Sequence, residues 1–277
     1  MILRYPGGKT KLSDSIIEEL LRQLKGNVTY CEPFLGGGGI LLKFLKRQHQ
    51  IKKLILNDRD TGIAALWTSI IHYPNELIRR ILDVKPSTEL FYDIKEELNS
   101  HTDNTFLCEH VINYGVKKLI VHQLSYSGLG VKSGGPLGGK EQKSKYKIDC
   151  RWNPDHLSRK IVWVNKLLSR FEIAEDCCTN KDFAAIIGEP SLYYMDPPYY
   201  QQGNNLYQYG FSDDDHSRLC DSLKNLQDWV LSYDDCNEIR SLYDDWADMY
   251  KIYANYTIVS KKDKQPKSEL LILPNAN

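Results

Sequence analysis

The hydrophobic positions of the chain switch repeatedly between helical spacing and short continuous runs. In residues 13–24, apolar side chains recur every three or four positions, which predicts an amphipathic helix with Ser13 at its N-cap. The same criteria predict further helices at 40–45, 62–82, 183–187 and 213–226, and buried strands at 28–31, 54–56, 172–174, 193–195 and 229–231. Because the strands alternate with helices, the pattern predicts an α/β fold with a doubly wound, mostly parallel sheet.

Two regions depart from this alternation. Near the end of the chain, apolar runs at 256–259 and 270–273 flank a polar stretch, which predicts a hairpin that adds an antiparallel strand at the sheet edge. Residues 88–165 contain a polar helical part followed by a turn-rich stretch with many glycines. We therefore predict that 88–165 form an inserted, mainly helical module between the two parts of one α/β domain, residues 1–87 and 166–277.

Composition excludes several classes of protein. With 42% hydrophobic and 26% charged residues, the 277-residue chain has the composition of a globular protein, and it contains no apolar run long enough to span a bilayer. Seven cysteines without a Cys-x-x-Cys pair predict a reducing, cytoplasmic compartment and no disulfide framework. The histidines show no ligand spacing with cysteines or carboxylates, so we expect no metal site and no membrane association.

The charge is unevenly distributed, although the net charge is zero. Residues 117–170 contain twelve basic and only three acidic side chains, whereas the stretch from there to residue 250 is strongly acidic. A local excess of lysine and arginine is what a phosphate-binding surface requires. A solvated surface loop would have the same composition, so charge alone leaves both interpretations open.

The most informative chemical motif is Asp196-Pro197-Pro198-Tyr199, which directly follows an apolar run. The prolines donate no N–H, so their carbonyls can accept hydrogen bonds from a ligand beside the Asp196 carboxylate. Two acceptors suit an amino group with two hydrogens, and the Tyr199 ring offers a face on which a planar base can stack. A turn that merely ends a strand is the alternative, since Asp and Pro are common in such turns.

A second motif consists of the glycines at 36–39, which come after the first predicted strand. Glycines in this position allow a ligand to approach the backbone at the start of the next helix. Asp58 follows about twenty residues later, where doubly wound sheets commonly hold ribose hydroxyls. Gly8-Lys9-Thr10 imitates the end of a P-loop, but Leu3 stands where that motif requires glycine, so an ATPase is excluded.

Taken in order, these motifs resemble the D12-class, Dam-like DNA adenine-N6 methyltransferases in their alpha arrangement. The resemblance covers residues 4–273 and is weakest in the inserted module. It is carried by Arg4-Tyr5-Pro6-Gly7-Gly8-Lys9, Glu32-Pro33-Phe34-Leu35-Gly36-Gly37-Gly38, Asn57-Asp58, Lys181-Asp182-Phe183, Asp196-Pro197-Pro198-Tyr199 and Ser268-Glu269-Leu270-Leu271-Ile272. It implies a class I methyltransferase fold with a target-recognition insert that carries a β-hairpin, double-stranded DNA as substrate, and a monomer or weak dimer.

The resemblance also implies S-adenosylmethionine as cofactor and a role for each matching residue. The methionine end would be lined by Glu32, Phe34, Gly36 and Gly38, with Tyr5 and Lys9 contributing from the N-terminal segment. Asp58 would hold the ribose, and Asp182 would bond the adenine beside Phe183, for which simple core packing is an equal alternative. The catalytic residues would be Asp196, Pro197, Pro198 and Tyr199, which receive a flipped-out adenine.

The inserted module is expected to bind DNA through Tyr126, Lys132, Lys140, Lys143, Lys145, Lys147 and Arg151. Arg151 could read a guanine or could brace Trp152. Relatives that read GATC carry Asn-Arg and Arg-Tyr-Asn where this chain has His122-Gln123 and Val131-Lys132-Ser133, so the recognition sequence stays open. The host context (restriction–modification, orphan or phage) also stays open. Two rival functions stay open as well: amino-methylation of RNA or protein glutamine, and DNA binding without turnover.

Overall fold

The computed structural model describes residues 2–3, 9, 12–47, 50–100, 108–174, 178, 180–188, 191–201, 203–254 and 267–275. Seven strands lie within these ranges: β1 (Val28–Glu32), β2 (Ile51–Leu56), β3 (Glu172–Ile173), β4 (Leu192–Met195), β5 (Trp229–Asp234), β6 (Ala247–Ala254) and β7 (Lys267–Pro274). They form one sheet in the order β3-β2-β1-β4-β5-β7-β6. Strands β1 to β5 pair in parallel, and β7 pairs antiparallel with both β5 and β6. The predicted mostly parallel α/β sheet is therefore confirmed.

The helices of the described residues flank this sheet. They are α1 (Ser13–Gln23), α2 (Gly39–Arg47), α3 (Thr61–His72), α4 (Pro74–Leu82), α5 (Thr88–Ser100), α6 (Cys108–Leu124), α7 (Pro154–Leu168), α8 (Gly203–Leu206), α9 (Asp213–Leu223) and α10 (Asn237–Tyr243). The single helix predicted at 62–82 is two helices, because Pro74 has no N–H to continue the first and begins the second. The N-cap of α1 is Leu12 and not Ser13, and its side chain makes no cap hydrogen bond.

Helix α6 of the predicted insert packs closely along α3 of the sheet domain. A Cβ on Gly115 would lie 2.9 Å from the Cα of Leu66, so the two helices can approach this closely only with glycine there. Buried side chains of α5, α6 and α7 belong to the same hydrophobic core as those of α1 to α4. The predicted boundary between 165 and 166 falls inside α7.

The prediction of a β-hairpin within the insert is wrong. Residues 126–151 contain three short 3-10 turns and an isolated bridge between Ser125 and Pro136 instead of paired strands. Next to that bridge, the N–H of Leu137 donates to the carbonyl of Leu124 at 2.8 Å. The chain between the paired ends cannot stay extended because Ser127, at φ 66°, and the glycines that follow adopt left-handed backbone.

The C-terminal strands only partly match the prediction. The predicted strand at 270–273 lies within β7, whereas the strand predicted at 256–259 falls outside the described residues. The partner of β7 is β6, which was not predicted and lies at the edge of the sheet. The interior position of β7 places its first residues beside the end of β5, which matters for the site.

Candidate active site

The predicted site residues meet at the carboxyl ends of β1 and β4. The register pairs Tyr30 with Leu192 and Cys31 with Tyr193, so the Glu32 that ends β1 lies near the Asp196 that follows β4. Strand β1 has β2 on its other side, and this reversal of strand order is where ligands bind in open α/β sheets. A cavity of about 360 Å³ opens there, and its lining includes the predicted residues Lys9, Glu32, Phe34, Gly36, Gly38, Asp58, Phe183, Asp196 and Pro198.

The loop of glycines at 36–39 (the glycine loop) is held in place by Asp58. The N–H of Gly36 donates to Asp58 Oδ2 at 2.7 Å, and the N–H of Asp60 donates to Asp58 Oδ1 at 2.9 Å. Burial, followed by the nearby charge of Asp60, raises the pKa of Asp58 to about 7. Asp58 therefore shapes the loop and also presents a carboxyl group to the cavity.

Gly38 is glycine for a structural reason. It has φ of 61°, and a Cβ there would lie 2.3 Å from Cζ2 of Trp67. The indole Nε1–H of Trp67 also donates to the carbonyl of Gly36 at 2.9 Å. The close packing of Trp67 explains the need for glycine at 38 without any ligand, although Gly38 also lines the cavity.

Glu32 is a buried carboxyl group at the floor of the cavity. The hydroxyl of Tyr30 donates to Glu32 Oε1 at 2.6 Å, and burial raises the pKa of Glu32 to about 8. The neighbouring Asp196 charge contributes to that rise. A buried carboxyl that faces a cavity suits a cationic ligand group, which would restore the ionised form.

Three phenylalanines form an aromatic wall beside the glycine loop. The ring centroids of Phe34 and Phe183 are 5.7 Å apart, and Phe211 lies 5.6 Å from Phe34 and 5.3 Å from Phe183. Phe183 lines the cavity and also belongs to a buried core cluster, so both of its predicted roles are compatible with this position. Phe211 was missed because nothing in its local sequence marks it.

The Asp182 carboxylate forms hydrogen bonds and an ion pair with other residues of the protein. Its Oδ1 accepts the N–H of Ala184 at 3.0 Å and a guanidinium N–H of Arg218 at 2.9 Å, and Arg59 lies 3.9 Å from Oδ2. Asp182 is absent from the described residues that line the cavity. Its contact with adenine stays a prediction. Tyr5, also assigned to the cofactor, lies outside the described residues.

The turn formed by residues 196–199 (the DPPY turn) carries Asp196 at the mouth of the cavity. Its Oδ1 accepts the hydroxyl of Ser232 at 3.0 Å and lies 2.8 Å from the Nζ of Lys9. Burial raises the pKa of Asp196 despite the opposing charge of Lys9. After the turn, Asp234 accepts the N–H groups of Tyr200 and Gln201 at 3.0 and 2.8 Å, which fixes the direction of the chain.

Tyr199 and Lys9 meet a residue to which the sequence assigned no role. The hydroxyl of Tyr199 donates to Glu269 Oε2 at 2.6 Å, and Lys9 Nζ lies 3.5 Å from the same oxygen. Lys9 Nζ also lies over the Tyr199 ring, 4.4 Å from its centroid. Glu269 stands in the Ser268–Ile272 motif of the family resemblance, directly before the apolar part of β7, and that was the available signal.

The side chains predicted to bind DNA lie elsewhere, on the surface. Tyr126 is 69% exposed. The basic side chains of residues 132–151 (the basic segment) are exposed as well: Lys132, Lys140, Lys143, Lys145, Lys147 and Arg151. Lys143 pairs with the exposed Glu141, and Lys147 donates to the carbonyl of Gln142. None of these residues lines the cavity.

Within the described residues, no group of three or more histidine, cysteine, aspartate or glutamate side chains is placed to hold a metal ion. No helix in the same ranges has the length and apolar character needed to cross a membrane.

Comparison with known proteins agrees with this geometry. The curated protein "Type II methyltransferase M.MjaIII" of Methanocaldococcus jannaschii is 26% identical over 242 residues, which cover 81% of this chain and 79% of the relative. The family model of the D12 class N6 adenine-specific DNA methyltransferases matches residues 5–258. Because that match spans nearly the whole chain, the protein belongs to the D12 class of N6 adenine-specific DNA methyltransferases.

Proposed function

We propose that this enzyme transfers a methyl group from S-adenosylmethionine to N6 of an adenine that is turned out of double-stranded DNA. The observation that carries the proposal is the position of Asp196, which lines the cavity together with Pro198 of the DPPY turn. A cofactor bound in the cavity and a base held on the DPPY turn would then meet at Asp196. The name of the M.MjaIII relative supports the further proposal that this is a type II methyltransferase.

The residues around the cavity fit S-adenosylmethionine. The buried carboxyl of Glu32 suits its ammonium group, and the half-buried carboxyl of Asp58 suits the ribose hydroxyls. The Phe183 ring, which packs against Phe34 and Phe211, suits the adenine. When bound, this cofactor supplies a methyl group on a positively charged sulfur. The glycine loop and Asp58 hold one another in place, so this side of the cavity is formed in advance.

The target nitrogen needs activation because its lone pair is delocalised into the adenine ring. The Asp196 carboxylate and the Pro197 carbonyl are the acceptors that we assign to its two N–H groups. Hydrogen bonds in those two directions favour a tetrahedral nitrogen whose lone pair is available for attack. Because the pKa of Asp196 is raised, its carboxylate is also able to hold the proton that the nitrogen loses afterwards.

An adenine inside a duplex cannot reach the DPPY turn, so we propose that it is flipped out. Flipping costs a few kcal/mol, and stacking on an aromatic ring offsets about 1–3 kcal/mol of that cost. We assign this stacking to Tyr199, because it belongs to the turn that carries Asp196. Holding the base against Asp196 also supplies the orientation that accelerates a bimolecular transfer.

We assign DNA binding to residues 88–165 as the target-recognition insert. The exposed lysines of the basic segment and the exposed Tyr126 support this assignment. Phosphate contacts set affinity and register, whereas base contacts set the sequence that is read. We further propose that the enzyme acts as a monomer or weak dimer. We also propose a reducing cytoplasm as its compartment, which the lack of a Cys-x-x-Cys pair in the sequence supports.

The test is transfer of tritiated methyl groups to three substrates: duplex DNA, RNA, and a glutamine-containing peptide. We expect label in duplex DNA as N6-methyladenine, and single-molecule sequencing of DNA from cells that express the chain should place it at one short motif. Label in RNA or peptide alone would overturn the proposal. An Asp196→Ala variant with wild-type transfer would overturn the assigned chemistry.

A further inference from the structure

Glu269 is a buried carboxylate in the interior strand β7. Its side chain is only 5% exposed, and the next three residues of the strand, Leu270 to Ile272, are buried apolar side chains. Pairing of β7 with β5 places Glu269 opposite Asp234, the residue at the end of β5 that accepts the N–H groups of the chain just after the DPPY turn. A charge so deeply buried requires partners.

The first partner is the hydroxyl of Tyr199. That hydroxyl donates to Glu269 Oε2 at 2.6 Å, and its pKa lies well above the ordinary value, so it remains a donor. A short hydrogen bond to a charged acceptor fixes the rotation of the tyrosine ring. Glu269 thereby determines the plane on which a flipped base would stack.

The second partner is the ammonium group of Lys9. It lies 2.8 Å from Asp196 Oδ1 and 3.5 Å from Glu269 Oε2, so a single cation is shared between two carboxylates. An ammonium bound to Asp196 alone would compete with the target amino group for that acceptor. Glu269 offers the ammonium a second acceptor at 3.5 Å, so the ammonium is not bound to Asp196 alone.

We infer that Glu269 is a positioning residue for methyl transfer, which orients the Tyr199 ring and shares the Lys9 ammonium with Asp196. The inference rests on the proposed function, because it concerns the acceptor and the stacking surface assigned there. It adds two separable contributions: one acts through the Tyr199 hydroxyl on base capture, and the other acts through Lys9 on the transfer step.

Glu269→Gln separates the two contributions. The amide oxygen still accepts from Tyr199, but the charge that attracts Lys9 is gone. We expect the single-turnover transfer rate to fall by roughly 10- to 100-fold, the size expected for a hydrogen bond to a charged group. The fluorescence of 2-aminopurine at the target position, KM for DNA and Kd for S-adenosylmethionine should stay at their wild-type values.

Tyr199→Phe removes the hydroxyl and leaves the charge of Glu269 in place. Here we expect a weaker 2-aminopurine signal and a several-fold higher KM for DNA, with a smaller loss in the transfer rate. Glu172→Gln is the matched control, because it removes one carboxylate that is 57% exposed at the far edge of the same sheet. It should behave as wild type in every assay.

A folded Glu269→Gln variant with wild-type transfer rate would overturn the inference. So would a variant whose transfer rate, cofactor binding and thermal stability all fall together, since that pattern marks a purely structural role. If Glu269→Gln does not fold, Tyr199→Phe decides, and a wild-type fluorescence signal and KM there would refute the positioning role. Failure of the wild-type enzyme to methylate duplex adenine would instead refute the proposed function.

Discussion

The cluster around Asp196 and the basic segment both consist of charged side chains, but they lie in opposite environments. In the cluster, the side chains of Lys9, Glu269 and Asp196 are 4%, 5% and 24% exposed, and the Lys9 ammonium lies within 3.5 Å of both carboxylates. In the basic segment, Lys143 is 84% exposed, and its ion pair with Glu141 is on the surface. The cluster is arranged before any ligand arrives, whereas the lysines can adapt to a partner.

Burial determines how strongly each region should respond to substitution. Removing one partner of a buried ion pair leaves an uncompensated charge and costs about 3–5 kcal/mol. An exposed ion pair contributes only about 0–1 kcal/mol. Single changes in the cluster should therefore alter the rate of methyl transfer. Changes in the basic segment should mainly alter how DNA affinity depends on salt concentration.

The largest effect is expected for Asp196→Ala. Loss of the acceptor that orients N6 should lower the transfer rate by roughly 100- to 10,000-fold, the range seen when a positioned catalytic group is removed. Tritium transfer to duplex DNA measures the rate, while circular dichroism and cofactor titration check that the fold and the cavity survive. Near wild-type transfer by the folded variant would contradict the assigned role.

A smaller effect is expected for Tyr199→Ala. Loss of stacking should weaken capture of the flipped base by about 1–3 kcal/mol and leave cofactor affinity nearly unchanged. Fluorescence of 2-aminopurine at the target position reports the extruded base. An unchanged signal would show that Tyr199 only packs against its neighbours, such as Tyr233 at 6.1 Å between ring centroids.

In the basic segment, a triple Lys132, Lys140 and Lys145 to Gln variant tests DNA binding. The slope of log affinity against log salt concentration should flatten by roughly 0.9 for each DNA phosphate that a lysine no longer neutralises, with cofactor affinity unchanged. The matched control replaces the exposed lysines Lys52, Lys85 and Lys224, which lie outside the segment. Equal slopes in the two variants would remove the segment from the DNA-binding surface and would favour RNA or protein substrates.

The smallest effect concerns stability and pH. Because burial raises the pKa of Glu32 from 4.5 to about 8, its contribution to stability is fully present below 4.5 and is lost as the pH rises through 8. Glu32→Gln should therefore flatten the fall in Tm between those two pH values by a few degrees. Parallel Tm curves for the variant and the wild type would show that Glu32 titrates normally.

Local signals explain what could be predicted from the sequence. The strand β4 and the turn that follows it are encoded by adjacent residues, and the glycine loop closely follows β1. Their contact could be expected because parallel strands place their carboxyl ends at one sheet edge. The hairpin predicted in the insert was wrong, because the backbone beyond the isolated bridge between Ser125 and Pro136 forms 3-10 turns instead of extended strands.

The sequence by itself therefore determined the class of fold, the family, and the residues that lie at the ends of β1 and β4. Tertiary structure alone decided which groups hold those residues: Tyr199 meets Glu269 70 positions away, Asp196 meets Ser232 36 positions away, and Lys118 of α6 pairs with Asp60 58 positions away. Glu269, for example, comes from β7, which lies between β5 and β6 in the sheet although it follows both in the chain. Spacing along a sequence reports only neighbours on one element, so contacts between elements become visible when the sheet is assembled.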